Sequence, residues 1–274
     1  MLILNKLSIF CIGFIAFINC FSSLGQEKNV NGFEKQTHFI TGIGGSYVNV
    51  IDEGISPLLY NGIGGGVILG HFQEKEKNLN TFTAKFDFNN PSSSISNAEM
   101  YTFRLEGHFQ RYWKLSDDQN KKWKVRPGLD LSAKWALRQH LNFTNNSQHI
   151  ETRFSIAPAL MLARPFKLWN RNFELGTFTS IPFLTYATRP LFASTRFPAS
   201  VNKEEVKFFD YVKEGEIISF GSYFKWSTQY YLYYPLKNGN GLRLDYFWSY
   251  ENYKAQNPIK TGEHSIMIST FFKI

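Results

Sequence analysis

The sequence contains little cysteine. Only two of its 274 residues are cysteines, and both, Cys11 and Cys20, lie near the start of the chain. If that segment is removed on export, the remaining chain has no thiol, which excludes disulfides, thiolate metal sites and a cysteine nucleophile. No later run of 18 apolar residues occurs, so no transmembrane helix is predicted, and no long basic run points to nucleic acid.

Aromatic residues, by contrast, are abundant. They make up 17% of the chain, with 27 Phe, 14 Tyr and 6 Trp. Apolar residues account for 43% and charged residues for 19%, which excludes a disordered protein. A soluble domain of this length could not easily bury so many rings.

The first 25 residues have the pattern of a secretory signal peptide. Lys6 supplies a positive charge, an apolar stretch of 12 residues follows at 7–18, and Ser23 and Gly25 are small residues before Gln26. We therefore predict a signal peptide at 1–25, followed by a short periplasmic segment at 26–35. A lipoprotein anchored at Cys20 is the alternative, but Asn19 is a poor fit to the small residue wanted there.

From residue 36 onward the apolar residues recur with period two. In 123–137, Trp123, Leu129 and Leu131 share one face, whereas Arg126 and Asp130 share the other. Such segments are longer than most soluble strands and suit a tilted strand that crosses a membrane. We predict an all-β, antiparallel transmembrane β-barrel at 36–274. Its ten strands lie approximately at 36–49, 62–74, 81–89, 99–115, 123–140, 151–168, 172–189, 217–236, 242–254 and 262–274.

The lengths of the connections and the positions of the aromatic residues support a membrane-spanning barrel. Connections after even-numbered strands are short, as expected for periplasmic turns, and the other connections are longer, as expected for external loops. Rings cluster near the predicted ends of the strands, where a membrane interface would lie. The residues assigned to the short-turn girdle are Trp113, Trp123, Trp169, Tyr230 and Tyr234, and those assigned to the long-loop girdle are Tyr47, Phe88, Trp248, Tyr250 and Tyr253.

The last strand, HSIMISTFFKI at 264–274, alternates Ile266, Ile268 and Phe272 on one face. It resembles the final strand of Gram-negative outer-membrane β-barrel proteins, which ends in aromatic residues and is read by the barrel-assembly machinery. A departure is that Ile274 is last. The resemblance implies an outer-membrane location, with membrane lipid and the assembly machinery as partners, but it identifies no functional family.

The predicted inward face is ionic. Because a buried unpaired charge is costly, a ten-stranded interior is expected to be filled by ion pairs. A narrow water-filled pore is the alternative, and its excess of Lys and Arg would favour anions. The inward charged residues are Lys85, Asp87, Arg104, Glu106, His108, Lys124, Arg126, Asp130, Lys134, Arg153, Glu174, Lys225, Arg243 and Asp245.

Two glycine-rich stretches, at 42–46 and 62–66, lack the following helix that a phosphate-binding loop needs. Facing glycines on neighbouring strands instead predict bending or a close approach inside the barrel. The six histidines include no metal-binding signature, so we expect no metal or cofactor. His108, between Glu106 and Gln110, is read as a hydrogen-bonded structural residue.

Two loops are candidates for external contacts. The first carries an apolar tip at Pro57, Leu58, Leu59 and Tyr60. The second, at 190–216, mixes charges with rings and suits protein or glycan contact. Its contact candidates are Phe197, Phe208, Phe209 and Tyr211.

These features predict a non-enzymatic envelope protein that presents loops for binding or assembly. A narrow, anion-favouring, porin-like channel is the first alternative. A lipid-directed hydrolase is the second, and it would need an outward serine beside an outward histidine. His264 and Ser265 are adjacent in sequence and therefore point to opposite faces of their strand.

Overall fold

The computed structural model describes residues 36–96, 98–115, 122–142, 148–189, 215–255 and 257–274. The predicted signal peptide at 1–25 and the segment at 26–35 lie outside the described residues. In the part that is described, no helix is long and apolar enough to cross a membrane.

Long antiparallel strands make up nearly all of this part of the chain. Their alternation of apolar and polar residues favours extended backbone with two distinct faces. The strands are β1 (Gln36–Asp52), β2 (Ser56–Glu74), β3 (Asn78–Asn89), β4 (Met100–Trp113), β5 (Lys124–His140), β6 (Gln148–Leu168), β7 (Arg171–Ser180), β8 (Leu184–Thr188), β9 (Glu216–Ile218), β10 (Tyr223–Pro235), β11 (Gly241–Tyr253) and β12 (Ile259–Lys273).

Ten of these strands close into a ring. Neighbouring strands pair in the order β5-β4-β3-β2-β1-β12-β11-β10-β7-β6, and pairing of β5 with β6 completes the circle. β8 and β9 are additional short strands beside β6. The prediction of a closed antiparallel barrel of ten strands is therefore confirmed.

Two of the predicted strands are broken in the structure. The strand expected at 172–189 is interrupted at Pro182, whose ring nitrogen cannot donate a hydrogen bond. Ser180 pairs with Ala159 and Leu184 with Ile156, so one extra residue lies on this strand. This is the signature of a β-bulge, and it brings Phe183 and Leu184, although adjacent, both to the exposed surface.

The strand expected at 217–236 is interrupted by a turn at 219–222, where the Tyr223 amide bonds to the Ser219 carbonyl at 2.9 Å. β9 pairs with β8, whereas β10 pairs with β7 only from Ser227 onward. The first residues of β10 therefore pair only with β11 in the described structure.

The outer wall is apolar, and the interior is polar apart from two buried apolar clusters. On β5, Val125, Leu129 and Leu131 are exposed, whereas Arg126 and Asp130 are buried. The same alternation runs along the other ring strands. Tyr47, Phe88, Trp113, Trp123 and Tyr230 are exposed, as a girdle requires. Tyr253 was wrongly assigned to the girdle, because it is buried in an apolar cluster inside the loop end with Tyr223 and Ile259.

The connections follow the expected alternation only in part. The β6–β7 connection has two residues and the β2–β3 connection three, and the 27 residues between β8 and β9 form the longest connection at the opposite end. The β1–β2 connection, however, is only Glu53–Ile55, since both strands continue past their predicted ends. Pro57, Leu58, Leu59 and Tyr60 thus lie in β2 and do not form a loop.

The glycine-rich stretches face each other in register across β1 and β2, with Gly44 opposite Gly66 and Gly45 opposite Gly65. A Cβ atom at Gly44 would lie 2.0 Å from the Ile266 carbonyl oxygen, whereas one at Gly45 would meet nothing closer than 3.8 Å. The inward glycines therefore allow the close approach inside the wall that the sequence predicted.

Candidate functional site

The strongest concentration of chemistry in the protein is its lumen. Eleven of the fourteen predicted inward charged residues form the lumen charge network, and the structure places all eleven on the inner side of the wall. Ten of them are buried, and His108 is half-buried. These eleven are Lys85, Asp87, Arg104, Glu106, His108, Asp130, Lys134, Arg153, Lys225, Arg243 and Asp245.

The middle of the lumen contains ion pairs that run from one side of the ring to the other. Arg104 on β4 forms a two-pronged ion pair with Glu263 on β12, four strands away around the ring. The same guanidinium donates to Asp87 Oδ2 at 2.8 Å. Lys85 Nζ donates to Glu263 Oε1 at 2.9 Å and to Ser265 Oγ at 3.0 Å. Charge-assisted bonds of this kind are stronger than neutral ones, so they fix the two walls to each other.

A second group lies at the same depth. Lys225 on β10 pairs with Glu106 on β4, again four strands away. His108 bridges two carboxylates, with Nε2 at 3.3 Å from Glu106 Oε1 and Nδ1 at 3.0 Å from Asp130 Oδ1. Ser180 donates to Asp130 Oδ2 at 3.0 Å. The histidine is therefore hydrogen-bonded on both sides, as the structural interpretation of the sequence expected.

The loop end of the lumen holds the densest network. Glu151 accepts hydrogen bonds from Arg138 at 3.1 Å and from Arg153 and Arg189 at 3.0 Å each, and Lys134 Nζ lies 3.3 Å from it.

Two further carboxylates complete this layer. Asp52 accepts from Arg189 at 2.7 Å and from Arg138 at 3.2 Å. Glu251 accepts from Lys134 at 2.9 Å and also pairs with Arg153. With Glu151, three buried carboxylates thus contact four buried cations, and each cation has at least one carboxylate partner.

The turn end of the lumen also contains ion pairs, and there a cation contacts an aromatic ring. Arg243 pairs with Asp245 at 2.8 Å and lies over the Phe271 ring, 4.6 Å from its centroid. Asp245 also accepts from Gln229 at 2.7 Å. The remaining predicted residues take part as well: Arg126 pairs with Glu74 at 3.0 Å and Lys124 with Glu174 at 2.8 Å.

A small cavity lies beside the ion pairs of the middle of the lumen. It has a volume of about 80 Å³, and its lining includes His108, Asp130, Ser180, Lys225 and Ser249. A water molecule needs about 10–15 Å³ of such space, so the cavity is large enough for on the order of five waters. It is a pocket within the ion-pair network, sized for water or a very small solute.

The predicted excess of cations is small in the structure. Among the described residues, the ion pairs join eleven Lys and Arg side chains to nine carboxylates, and a tenth carboxylate, Asp130, pairs with His108. Eight of the paired residues were not predicted from the sequence. They are Asp52, Glu74, Lys114, Arg138, Glu151, Arg189, Glu251 and Glu263.

Of the eight residues predicted to make external contacts, four lie in the described part of the chain. Tyr60 is fully buried, and its hydroxyl hydrogen-bonds His140 Nε2 at 2.8 Å inside the loop end. Leu58 packs on the apolar cluster there, whereas Pro57 and Leu59 are exposed on the outer wall. Phe197, Phe208, Phe209 and Tyr211 lie outside the described residues.

The outward histidine on the last strand has no catalytic arrangement in the described structure. His264 Nδ1 hydrogen-bonds the Tyr246 hydroxyl at 2.7 Å, and its cross-strand neighbours are Tyr47 and Trp248. Ser265 lies inside the barrel beside Lys85, as alternation predicted. No group of three or more metal-ligating side chains is found within the described ranges.

Comparison with known proteins identifies no family for this chain. No protein-family model matches the sequence, and no curated protein matches it. The translocator domain of the autotransporter NalP from Neisseria meningitidis is 7% identical, with 98% of each chain covered and a TM-score of 0.42.

Two further solved structures are similar to the same degree. The beta domain of the Bordetella autotransporter BrkA is 8% identical, covers 87% of this chain and 100% of its own, and has a TM-score of 0.44. The transport unit of AIDA-I from Escherichia coli is 8% identical, with 92% and 93% covered and a TM-score of 0.40. The closed ring and the apolar outer wall rest on this chain's own strand pairing and burial.

Proposed function

We propose that this protein is a non-enzymatic outer-membrane β-barrel that does not conduct ions and serves as a rigid base for a binding surface at its loop end. The apolar outer wall and its aromatic girdles support placement in a membrane. The connection between β8 and β9, the longest at that end, would carry the contacts with a protein or glycan partner.

The observation that carries this proposal is the set of ion pairs across the lumen. Pairs between strands four positions apart occur in the middle layer, Arg104–Glu263 and Lys225–Glu106, and in the loop-end layer, Lys134–Glu251. Opening a pore would require these direct contacts between opposite charges to be broken and replaced by contacts with water, and charge-assisted hydrogen bonds are among the strongest in proteins. A pore through this network is therefore disfavoured at rest.

The base of the longest connection is firmly held. Arg189, where the connection leaves β8, donates to both Asp52 and Glu151. At the other end, Glu216 accepts a hydrogen bond from the Tyr253 hydroxyl at 2.7 Å and belongs to β9, which pairs with β8. A binding loop positioned on a rigid scaffold loses less conformational entropy when it binds, so this arrangement suits recognition.

We expect the purified protein in planar bilayers to show no steady ionic current. The double variant Glu106→Gln and Lys225→Met, which removes one pair across the lumen, should behave in the same way because the other layers remain closed. Single-channel recording checks both. Steady anion-selective steps from the wild type would contradict the proposal and favour the channel alternative.

Removing residues 192–214 should abolish partner contacts and leave the barrel folded. The measurement is cross-linking on intact cells with a membrane-impermeant reagent, together with the shift in gel mobility between heated and unheated samples as the folding control. The control variant Glu99→Gln changes one exposed carboxylate at the same end and should keep the cross-linked adducts of the wild type. If the deletion retains all surface adducts, the binding function does not reside in this connection.

A further inference from the structure

One sector of the outer wall departs from the apolar pattern near the loop end. On β3, β4 and β6 the outward residues at that level include Phe88, Phe103 and Phe154. Across β11, β12, β1 and β2 the outward positions instead form a row with polar side chains. The members of this row lie directly opposite one another in the strand register: Tyr250, Gly262, Asn49 and Asn61. Because neighbouring strands lie about 4.8 Å apart, the row spans roughly 14 Å.

Gly262 leaves a depression in the middle of this row. A Cβ atom there would meet nothing closer than the Asn49 side chain, at 4.0 Å, so no side chain fills the space over β12. Tyr250 and Asn49 flank it on the neighbouring strands, and Lys260 and His264 lie two residues away on either side along β12. We call this feature the outer depression. The Cα atoms of these four neighbours lie within roughly 7 Å of that of Gly262, so all four side chains can contact one molecule.

The polar side chains around the outer depression have few partners in the protein. His264 Nδ1 lies 2.7 Å from the Tyr246 hydroxyl, which fixes the ring, but Nε2 makes no hydrogen bond in the described part of the chain. A polar group that faces lipid without a partner is costly and marks a functional site. Among the described residues, five more side chains near the depression make no side-chain hydrogen bond or ion pair: Tyr47, Asn49, Asn61, Tyr250 and Lys260.

The neighbouring rings place the outer depression at headgroup depth. Tyr47 and Trp248 lie directly opposite His264, one on each side. Tryptophan and tyrosine favour the headgroup level of a bilayer. Toward the turn end, the outward series of β12 continues with exposed Ile266 and Ile268, which suit acyl chains. The depression therefore lies at the boundary between the apolar wall and the loop end.

The chemistry of these groups favours a sugar headgroup that carries phosphate. Aromatic rings supply flat contact area, and amide and phenol groups form hydrogen bonds with hydroxyl and amide groups. The Lys260 ammonium adds a cation, and hydrogen bonds between a cation and an anion are the stronger kind. The headgroup of a glycerophospholipid is compact, whereas the polar groups here are spread over four strands. An extended headgroup of sugar and phosphate uses more of them.

We infer that the outer depression binds the headgroup of a phosphorylated glycolipid in the leaflet at the loop end. The inference rests on the proposed placement in a membrane and adds to it a lipid class and a site. The sugar lies over Gly262 between Asn49 and Tyr250, and Lys260 contacts the phosphate. The acyl chains follow the apolar wall toward the turn end.

The test uses the full-length exported protein in nanodiscs of phosphatidylcholine that contain lipid A and phosphatidylglycerol as equal minor fractions. After mild detergent extraction, mass spectrometry of the intact protein identifies the lipid that it retains. The wild type is expected to retain lipid A in preference to both glycerophospholipids. Dephosphorylated lipid A should be retained about ten-fold less or weaker still, since a hydrogen bond to a charged group contributes roughly that factor. This comparison needs no variant.

Filling the depression tests the site itself. Gly262→Val adds a side chain into open space, so the strand should still form, and the preference for lipid A should be lost. The matched control is Gly65→Val, at an outward glycine of β2 whose added Cβ would have its nearest atom at 3.4 Å, and it should retain the preference. The double variant Asn49→Leu and Lys260→Gln should lower retention of lipid A by about ten-fold or more. The shift in gel mobility between heated and unheated samples verifies folding.

Equal retention of lipid A and phosphatidylglycerol by the wild type would overturn the inference, as would an undiminished preference in folded Gly262→Val. A preference for phosphatidylglycerol would overturn the assignment to a glycolipid. None of these results touches the proposed non-conducting barrel, which the bilayer recordings decide. Failure to insert into any bilayer would instead overturn the membrane placement on which both rest.

Discussion

Replacing Glu151 with glutamine is expected to lower the free energy of unfolding by about 3–5 kcal/mol, the usual cost of removing one partner from a buried ion-pair network. Glu151 is buried and contacts four cations, Lys134, Arg138, Arg153 and Arg189. Glutamine keeps the shape but removes the charge. The four cations would then share only Asp52 and Glu251.

Urea unfolding of the protein refolded in detergent micelles measures this difference, with the slope of the transition checked for two-state behaviour. Glu53→Gln and Glu99→Gln, two exposed carboxylates at the same end, are the controls and should change stability by less than about 0.5 kcal/mol. Adding Arg189→Gln to the Glu151 variant should recover part of the loss, because it lowers the uncompensated charge. A loss equal to that of the exposed controls would contradict the role assigned to this network.

The closed ring could be predicted because the same alternation of outward apolar and inward polar residues recurs in every strand. A strand with lipid-like contacts on one side and a polar interior on the other must alternate, so period two over 123–137 or 151–168 indicates both the strand and its faces. The interruption at Pro182 could not be predicted in the same way. A bulge adds one residue to one strand only, and the alternation on each side of it remains intact.

The same reasoning explains which lumen residues were missed. Arg138, Glu251 and Glu263 continue the inward alternation of strands that were assigned correctly, and extending the pattern by a few residues would have found them. Arg189 follows the bulge, where the alternation shifts by one. Asp52 lies in a segment that was assigned to a loop.

The error at Pro57–Tyr60 has a different cause. Proline and an apolar triplet resemble a loop tip in sequence, but Tyr60 pairs with Val50 and Ser56 with Asp52, so the ladder continues almost to the chain reversal. The buried hydroxyl of Tyr60, bonded to His140, shows why an aromatic residue is needed there. Tertiary contacts thus override the local turn signal.

Gly44→Ala is expected to prevent the ring from closing normally, with a loss of about 3 kcal/mol or more. The added methyl group would lie 2.0 Å from the Ile266 carbonyl oxygen and 2.7 Å from the Met267 Cα atom, both backbone atoms of β12. Neither can move without shifting a strand that pairs with β1 from His38 to Asp52.

The neighbouring Gly45→Ala is the matched control, since its methyl group projects outward with the nearest atom at 3.8 Å and should stabilise the strand slightly. Urea unfolding and heat-dependent gel mobility compare the two. Equal stability of the two variants would contradict the steric conflict at Gly44. The facing glycines of β1 and β2 would then need another explanation.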